Sequence, residues 1–278
     1  MPELPEVETI KRGLNQMTLH QTIQGGDVLL NRTIAHPVSV EGFLAGLQGG
    51  RITQWHRRGK YLLADLSPSS HLGVHLRMTG QLLWLDRDSP LQKHTRVRLF
   101  FEGGKELRFV DQRTFGQLWF VPPDQSIETV ITGLQNLGPE PFSEDFSVDY
   151  FWQQLQRRRP IKNALLDQAI VAGVGNIYAD EALFLSGIHP ETLGIDLTVA
   201  QIVRLQNNIV EVLQASIAAR GTTFSTFRNV EGVNGNYGNV AWVYARDGQA
   251  CRTCETVIQR RKLAGRSAHF CPTCQEKG

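Results

Sequence analysis

Cys251-Arg252-Thr253-Cys254 is followed, sixteen residues later, by Cys271-Pro272-Thr273-Cys274, and these are the only four cysteines of the chain. Two C-x-x-C knuckles around a hairpin-sized insert bring four thiolates to the corners of a tetrahedron, the arrangement of a closed structural zinc site. Two disulfides or a redox pair are the other readings of such spacing. The amino terminus is charged within its first twelve residues and has no continuous apolar run, so no secretory segment is expected. Disulfides then lack an oxidising compartment, and a redox C-x-x-C has no reason to occur in two evenly placed copies. With four cysteine ligands no position is left for water, so one zinc ion is expected to hold the fold and do no chemistry. Nearby His269 is read as a structural or surface residue, not a ligand.

Upstream of the cysteines the pattern is helical. Val199, Ile202, Leu205, Ile209, Val212, Leu213 and Ile217 stripe one face of a long helix predicted to end at Gly221. Before it, Val171-Ala172-Gly173-Val174-Gly175-Asn176-Ile177 turns tightly and opens a helix near Asn176. A helix start with free N–H groups seats phosphates; a plain connector capped by Asn176 is the alternative. Pro122-Pro123 and Gly138-Pro139-Glu140-Pro141 read as a linker. From about Gln21 to Val121, short β-rich runs (61–66, 81–85, 97–101, 107–110) alternate with turn residues, which predicts a β-sandwich. In front of it Val7, Ile10, Leu14 and Met17 recur at helical spacing, so a helix follows Pro5.

That first helix gives the opening residues Met1-Pro2-Glu3-Leu4-Pro5-Glu6 their interest. A small second residue permits removal of the initiator Met1, and its loss leaves Pro2 as a free secondary amine beside a carboxylate. An α-amino group titrates near pH 8, against about 10.4 for lysine, so a usable fraction is neutral near pH 7. Such an amine attacks an aldehyde-like carbon and forms an iminium. Read blandly, prolines and glutamates simply decorate a helix start.

At 278 residues and 41% hydrophobic, the chain can bury a sizeable core, as two domains plus the metal module. No apolar stretch approaches the roughly 20 residues of a membrane span, so no membrane partner is expected. The net charge of +2 signals no polyanion by itself. Its distribution does: 221–278 holds eight Lys or Arg (Arg228 and Lys277 among them) against four acids, and Arg57-Arg58-Gly59-Lys60 and Arg157-Arg158-Arg159 with Lys162 add two clusters. One charge run is usually a solvated face, but three in separate segments favour nucleic acid.

Together these pieces resemble the bacterial formamidopyrimidine-DNA glycosylases, base-excision enzymes that remove oxidised purines. The likeness runs from Met1 to Gln275, through Pro2-Glu3-Leu4-Pro5-Glu6, Arg58-Gly59-Lys60-Tyr61, His75-Leu76-Arg77-Met78-Thr79-Gly80, Gly173-Val174-Gly175-Asn176-Ile177-Tyr178 and the cysteine module. It implies an α+β, multidomain chain: an N-terminal helix plus β-sandwich (1–122), a linker (123–147), a helix–two-turn–helix domain (148–221), a lesion-sensing loop region (222–244) and a zinc finger (245–278). Damaged double-stranded DNA would lie across the cleft between the domains, bound by a monomeric, cytoplasmic, nucleoid-associated bacterial protein. The target nucleotide must be flipped out of the stack. By resemblance Pro2 attacks its sugar and expels the base, and Glu3 protonates the opening sugar oxygen. Lys60 serves the β-elimination, and Arg266 the δ-elimination, as a clamp on the departing phosphate, since arginine keeps its proton. Met78, Arg113 and Phe115 match the residues that fill the void left by flipping; without the resemblance, Met78 and Phe115 read as sandwich core. His94, Arg157, Lys162 and Asn176 match positions that hold phosphates or approach the lesion. The glycine- and asparagine-rich stretch Glu231-Gly232-Val233-Asn234-Gly235-Asn236-Tyr237-Gly238-Asn239 falls where the family has its lesion-sensing loop, and its composition suits disorder until a base enters.

Two departures stand out. Gln112 and Thr114 replace the commoner residues of the Asp-Pro-Arg-Arg-Phe form, which touches the hold on Arg113 and the preference for the opposite base; Gly265-Arg266-Ser267-Ala268 is a variant finger tip that keeps its arginine. Two other identities are open to the sequence. One is the sister enzyme for oxidised pyrimidines (endonuclease VIII), which shares the Pro-Glu start, helical domain and finger. The other is a catalytically silent zinc-ribbon DNA-binding protein, which has no need of an amine at residue two.

Overall fold

The periodic run at the amino terminus folds as helix α1 (Leu4–Met17), with Pro5 in its first turn, where a missing N–H breaks no helical bond. Val7, Ile10 and Leu14 share one face and are wholly buried, each contributing about 1.5–3 kcal/mol by leaving water. Thr18 stops the helix, its N–H and hydroxyl both donating to the Leu14 carbonyl. The Trp55 indole N–H donates to that hydroxyl at 2.9 Å, and the Asn15 amide exchanges two hydrogen bonds with the Trp55 backbone. The carboxyl end of α1 is thereby fixed against the strand that carries Trp55.

The structure, a computed structural model, describes residues 1–222 and 229–275. It falls into two units, Met1–Gln135 with Ala219–Asn236, and Asn136–Ala218 with Tyr237–Gly278. In the first, α1 is followed by β1 (Gly25–Val28), β2 (Ile34–His36), α2 (Val40–Leu47), β3 (Arg51–Arg58), β4 (Tyr61–Ser67), β5 (Ser70–His75), β6 (Gly80–Asp86), β7 (Thr95–Phe100), β8 (Lys105–Asp111), β9 (Gln117–Val121) and α3 (Ile127–Val130). One sheet has the order β1-β7-β8-β6 and the other β2-β9-β5-β4-β3; only the β2–β9 pair is parallel. Leu62 and Val74 of one sheet and Leu82 and Phe109 of the other share a single core with the apolar face of α1. This is the expected sandwich, and the four apolar runs named above fall on β4, β6, β7 and β8.

Two segments belong to this unit that the sequence places elsewhere. Residues 123–135, read as linker, bury Ile131 and Leu134, and a Cβ on Gly133 would stand 2.1 Å from the Tyr61 hydroxyl oxygen. Residues 219–236 also return here. Val230 is buried, its carbonyl accepts from the Trp84 N–H at 3.0 Å, and Gly13 leaves room for its side chain. A loop with one buried valine and interstrand-like hydrogen bonding packs on the sandwich although its composition is polar.

The second unit is helical, with α4 (Val148–Leu155), α5 (Ile161–Leu165), α6 (Asn176–Ser186) and α7 (Val199–Ala218), and ends in the hairpin β10 (Gln259–Leu263) and β11 (Arg266–Phe270). The α7 stripe from Ile202 to Leu213 is buried. This helix stops at Ala218, ahead of the predicted Gly221, where Arg220 and Gly221 both turn to positive φ. Glu181 of α6 is buried and accepts the N–H groups of Trp242, Val243 and Tyr244 at 2.7–2.9 Å, which pins the approach to the cysteines onto α6. Burial holds its carboxyl above the usual range, against those three donors. Among the described residues no helix is long and apolar enough to cross a membrane.

Candidate active site and metal centre

Pro2 and Glu3 are both buried at the head of α1. The Glu3 N–H donates to Glu6 Oε2 at 2.9 Å, while Glu6 Oε1 accepts the Thr222 N–H at 2.8 Å. One carboxylate therefore ties the start of the chain to the returning segment 219–236. The sequence carries this signal, because a glutamate three residues into a helix satisfies the orphan N–H groups of its first turn.

Lys60 follows Gly59 in the two-residue turn between β3 and β4, with Arg58 paired to Tyr61. Gly59 has φ +54, and a positive φ at the first turn position is the geometry that matches strand twist in a hairpin. The turn holds Lys60 largely buried, 7% exposed. Beside it His75 is also buried, its ring edge-on to Tyr61. Burial, and then the charges of Arg77 and Lys60, push its imidazole down to about 3. The ring is neutral, and its Nδ1 accepts the Arg77 N–H at 3.0 Å. An unfolded imidazole takes up its proton near pH 6.5, so between that value and about 3 the unfolded chain binds the extra proton. The first unit is thus expected to lose stability as pH falls from 6.5, and His75→Gln to remove that component. Superimposable stability–pH curves for the two proteins would contradict this.

The three void-filling candidates sit on two loops of the same unit. Phe115 is 53% exposed, Arg113 is exposed and Met78 is half-buried. Arg113 lies over the Phe115 ring, 5.0 Å from its centroid. Neither Met78 nor Phe115 belongs to the sandwich core, so that bland reading fails. Buried Asp111 organises both loops: one carboxylate oxygen accepts the Thr79 hydroxyl and the Arg113 N–H, the other the Gly116 N–H at 2.8 Å. Thr114 takes φ +58 and its hydroxyl accepts from Arg32. His94 is half-buried, bonded through Nδ1 to Arg96 at 3.1 Å, and its carbonyl accepts the Asp111 N–H. His75 and Thr79 lie within a quoted motif, yet the Thr79–Asp111 bond spans 32 positions and periodicity does not announce it.

In the second unit Lys162 is wholly buried. Its ammonium donates to Asp180 Oδ1 at 2.5 Å and to the Ser267 carbonyl. Asp180 Oδ2 accepts both the N–H and Nδ1 of His269 at 3.0 Å. A lysine expected at a phosphate thus stands inside an ion network that fixes β11 to α5 and α6, and His269 serves the same network. Asn176 is the first residue of α6, not its cap; Gly175 holds the cap position. The Asn176 amide donates to Ser267 Oγ at 3.2 Å, and its buried Oδ1 has no partner among the described residues. Arg266 is exposed at the start of β11, beyond a turn in which Ala264 and Gly265 both have positive φ. Arg157 is exposed just after α4, while neighbouring Arg159 pairs with Asp167 at 2.7 Å. Of the expected lesion-sensing region, residues 223–228, with Arg228, lie outside the described residues, as do Glu276 and Lys277. Residues 229–236 form hydrogen-bonded turns in which Asn229 Oδ1 accepts the N–H groups of Glu231 and Val233; the asparagine side chain satisfies a backbone whose composition had suggested disorder.

The four cysteine sulfurs all lie within 4.8 Å of one another. Nearest separations are 3.4 Å for Cys254 to Cys271 and to Cys274, and 3.9 Å for Cys251 to Cys274. A disulfide needs about 2.05 Å, whereas a zinc tetrahedron with arms of about 2.3 Å has edges near 3.8 Å. Hydrogen bonds from Thr256 pull the Cys254 thiol down to about 6, while burial pushes Cys271 and Cys274 up. Crowded, partly buried thiols of this kind become thiolates together only around a cation. The residues fit one structural zinc ion. Cys251 and Cys271 also pack with Phe184, Val243 and Ile258, so the metal centre is seated on α6.

The described residues thus combine a helix-led sandwich, a helical domain and a four-cysteine finger. Consecutive stretches match the formamidopyrimidine-DNA glycosylase N-terminal domain (1–118), the formamidopyrimidine-DNA glycosylase H2TH domain (137–228) and the zinc finger found in FPG and IleRS (248–277). The formamidopyrimidine-DNA glycosylase of Nostoc punctiforme is 66% identical over 99% of this chain and 96% of its own, and that of Acaryochloris marina 64% over 99% of both. Among solved structures, a Lactococcus lactis FPG mutant bound to Fapy-dG DNA superposes with a TM-score of 0.92 at 36% identity, covering 99% of this chain and 100% of the other. The Thermus thermophilus MutM (FPG) protein gives 0.89 at 39%, covering all of both chains. The chain belongs to the formamidopyrimidine-DNA glycosylase family.

Proposed function

We propose that this protein is a bifunctional DNA glycosylase and lyase that removes oxidised purines, 8-oxoguanine and formamidopyrimidines, from duplex DNA. The observation that carries the proposal is the placement of Pro2 and Glu3: buried together and tied through Glu6 to Thr222. After Met1 is removed, the Pro2 nitrogen attacks the anomeric carbon of a flipped nucleotide and the bond to the base breaks. Glu3 protonates the ring oxygen as the sugar opens. The iminium draws electrons from the neighbouring C–H bond; that carbon loses its proton and the 3′ phosphate leaves, then the 5′ phosphate in the second elimination. Lys60 serves the first elimination, and Arg266 neutralises the second departing phosphate as a fixed cation.

Met78, Arg113 and Phe115 fill the vacated stack, held by Asp111. Arg157, His94 and Asn176 hold phosphates. Lys162, buried on Asp180, is better suited to positioning Ser267 and the finger tip than to touching DNA. The helical segment 148–221 and the finger 245–278 act as DNA-binding modules, and the protein works as a monomer associated with the bacterial nucleoid.

A second specificity has a specific observation in its favour: a Lactococcus lactis FPG was solved with DNA containing an oxidised pyrimidine. Rates on otherwise identical duplexes carrying 8-oxoguanine or thymine glycol separate the two. Faster excision of 8-oxoguanine is expected; a strong preference for thymine glycol would overturn the purine assignment.

A further inference from the structure

Arg77 occupies a backbone conformation that suits glycine. Its φ is +52, in the turn between β5 and β6 and directly before Met78, where a side chain crowds its own carbonyl. The turn is held by the Arg77 N–H donating to His75 Nδ1, a bond that glycine makes equally well. The side chain must therefore contribute something the turn does not need. It is exposed, and its Nη2 donates to a neutral partner, Gln117 Oε1, at 3.0 Å. Among the described residues no carboxylate pairs with it, whereas Arg57, Arg98, Arg108 and Arg159 all have acidic partners. An exposed hydrogen bond to an amide adds little to stability. A strained, exposed guanidinium with no counter-charge is suited to an anion that arrives from outside.

We propose that Arg77 is a further DNA-backbone contact of this enzyme, its guanidinium holding a phosphate beside the Met78 wedge. The inference rests on the reading of the protein as a duplex-DNA enzyme. The charges of Arg77 and Lys60 both act on the neutral His75 imidazole, so two basic side chains stand in this part of the first unit. The hydrogen bond to Gln117 holds the guanidinium in place before DNA arrives, which reduces the ordering required on binding.

The test uses the full-length, zinc-loaded protein and a fluorescent duplex with one tetrahydrofuran site, which cannot be excised. Affinity is read by anisotropy between about 0.05 and 0.3 M salt. Arg77→Gly is expected to bind about tenfold more weakly near 0.15 M. Its plot of log K against log salt should be shallower by about one, while its melting temperature rises by about 2–4 °C. Arg77→Gln keeps the strained backbone and should lose the same slope. Arg51→Ala, seven residues along β3 from Arg58 and so roughly 23 Å from the hairpin, should leave the slope unchanged. A wild-type slope and affinity within about twofold in Arg77→Gly, or a wild-type slope in Arg77→Gln, would overturn the proposal. A wild-type protein that binds this duplex but releases no 8-oxoguanine from a second duplex carrying that lesion would overturn the enzymatic reading and leave the Arg77 contact standing.

Discussion

Under the proposed mechanism, a chain whose Pro2 nitrogen is blocked is expected to bind a lesion-bearing duplex and not to cut it. Retained Met1 or chemical acylation converts the amine into an amide, whose lone pair is delocalised and attacks no sugar carbon. Base release and strand cleavage should fall together by at least about 10³-fold, since both run through the same intermediate. Pro2→Gly keeps a terminal amine, but a primary one, whose imine carries no charge until protonated and whose chain loses the ring that fixes it; strand cleavage is expected to be lost there too. Duplex affinity should stay within about threefold of wild type, because neither change removes a cation from Arg113, Arg157 or the finger. Single-turnover excision and anisotropy on the same preparations separate the two effects. Undiminished cleavage by the blocked chain would place the nucleophile elsewhere, and a silent DNA-binding protein would show no cleavage in any form.

Loss of the metal is the second large effect. The β10–β11 hairpin has little core of its own: four of the five β10 residues are exposed, and its buried side chains rest on α6 through the cluster around Cys251 and Cys271. Four-cysteine zinc sites in small modules contribute roughly 10–16 kcal/mol of apparent binding free energy at pH 7, far more than five hairpin pairs supply. Chelation, or Cys254→Ala, should disorder residues 251–275, release Arg266 and weaken duplex binding by about two orders of magnitude. The sandwich has its own core and should melt as before. Proteolysis confined to the finger, with an unchanged near-ultraviolet spectrum from buried Trp55, is the expected result. DNA binding unaffected by chelation would contradict it.

Periodicity and spacing made the architecture legible. The stripe from Ile202 through Leu213, the alternating strand runs and the two C-x-x-C knuckles each carry their own geometry and are found where the sequence puts them, while Val199, read as the start of the stripe, is exposed in the first turn of α7. Segments whose burial depends on distant partners were not legible. Residues 123–135 look like linker until Gly133 meets Tyr61. Asn176 looks like a cap until Gly175 takes that place and its amide turns to Ser267, 91 residues away. Lys162 in a basic run looks like a phosphate ligand, yet Asp180 and the Ser267 carbonyl draw it inside. The Asp111 and Glu6 carboxylates are visible as letters, but each also joins a distant segment, Asp111 through the Thr79 hydroxyl and Glu6 through the Thr222 N–H. For the chemistry, residue type and motif single out Pro2, Glu3 and Lys60, and their buried placement suits the proposed roles.

The most direct measurement is borohydride trapping of the purified, N-terminally sequenced protein on a labelled duplex with one 8-oxoguanine opposite cytosine. Reduction converts an iminium into a permanent bond. A covalent band that maps to Pro2 in the chain lacking Met1 is the predicted result, and it would establish lesion class and nucleophile together. Tight binding by the mature protein with no covalent band, or a band mapping to a lysine, would contradict the central claim.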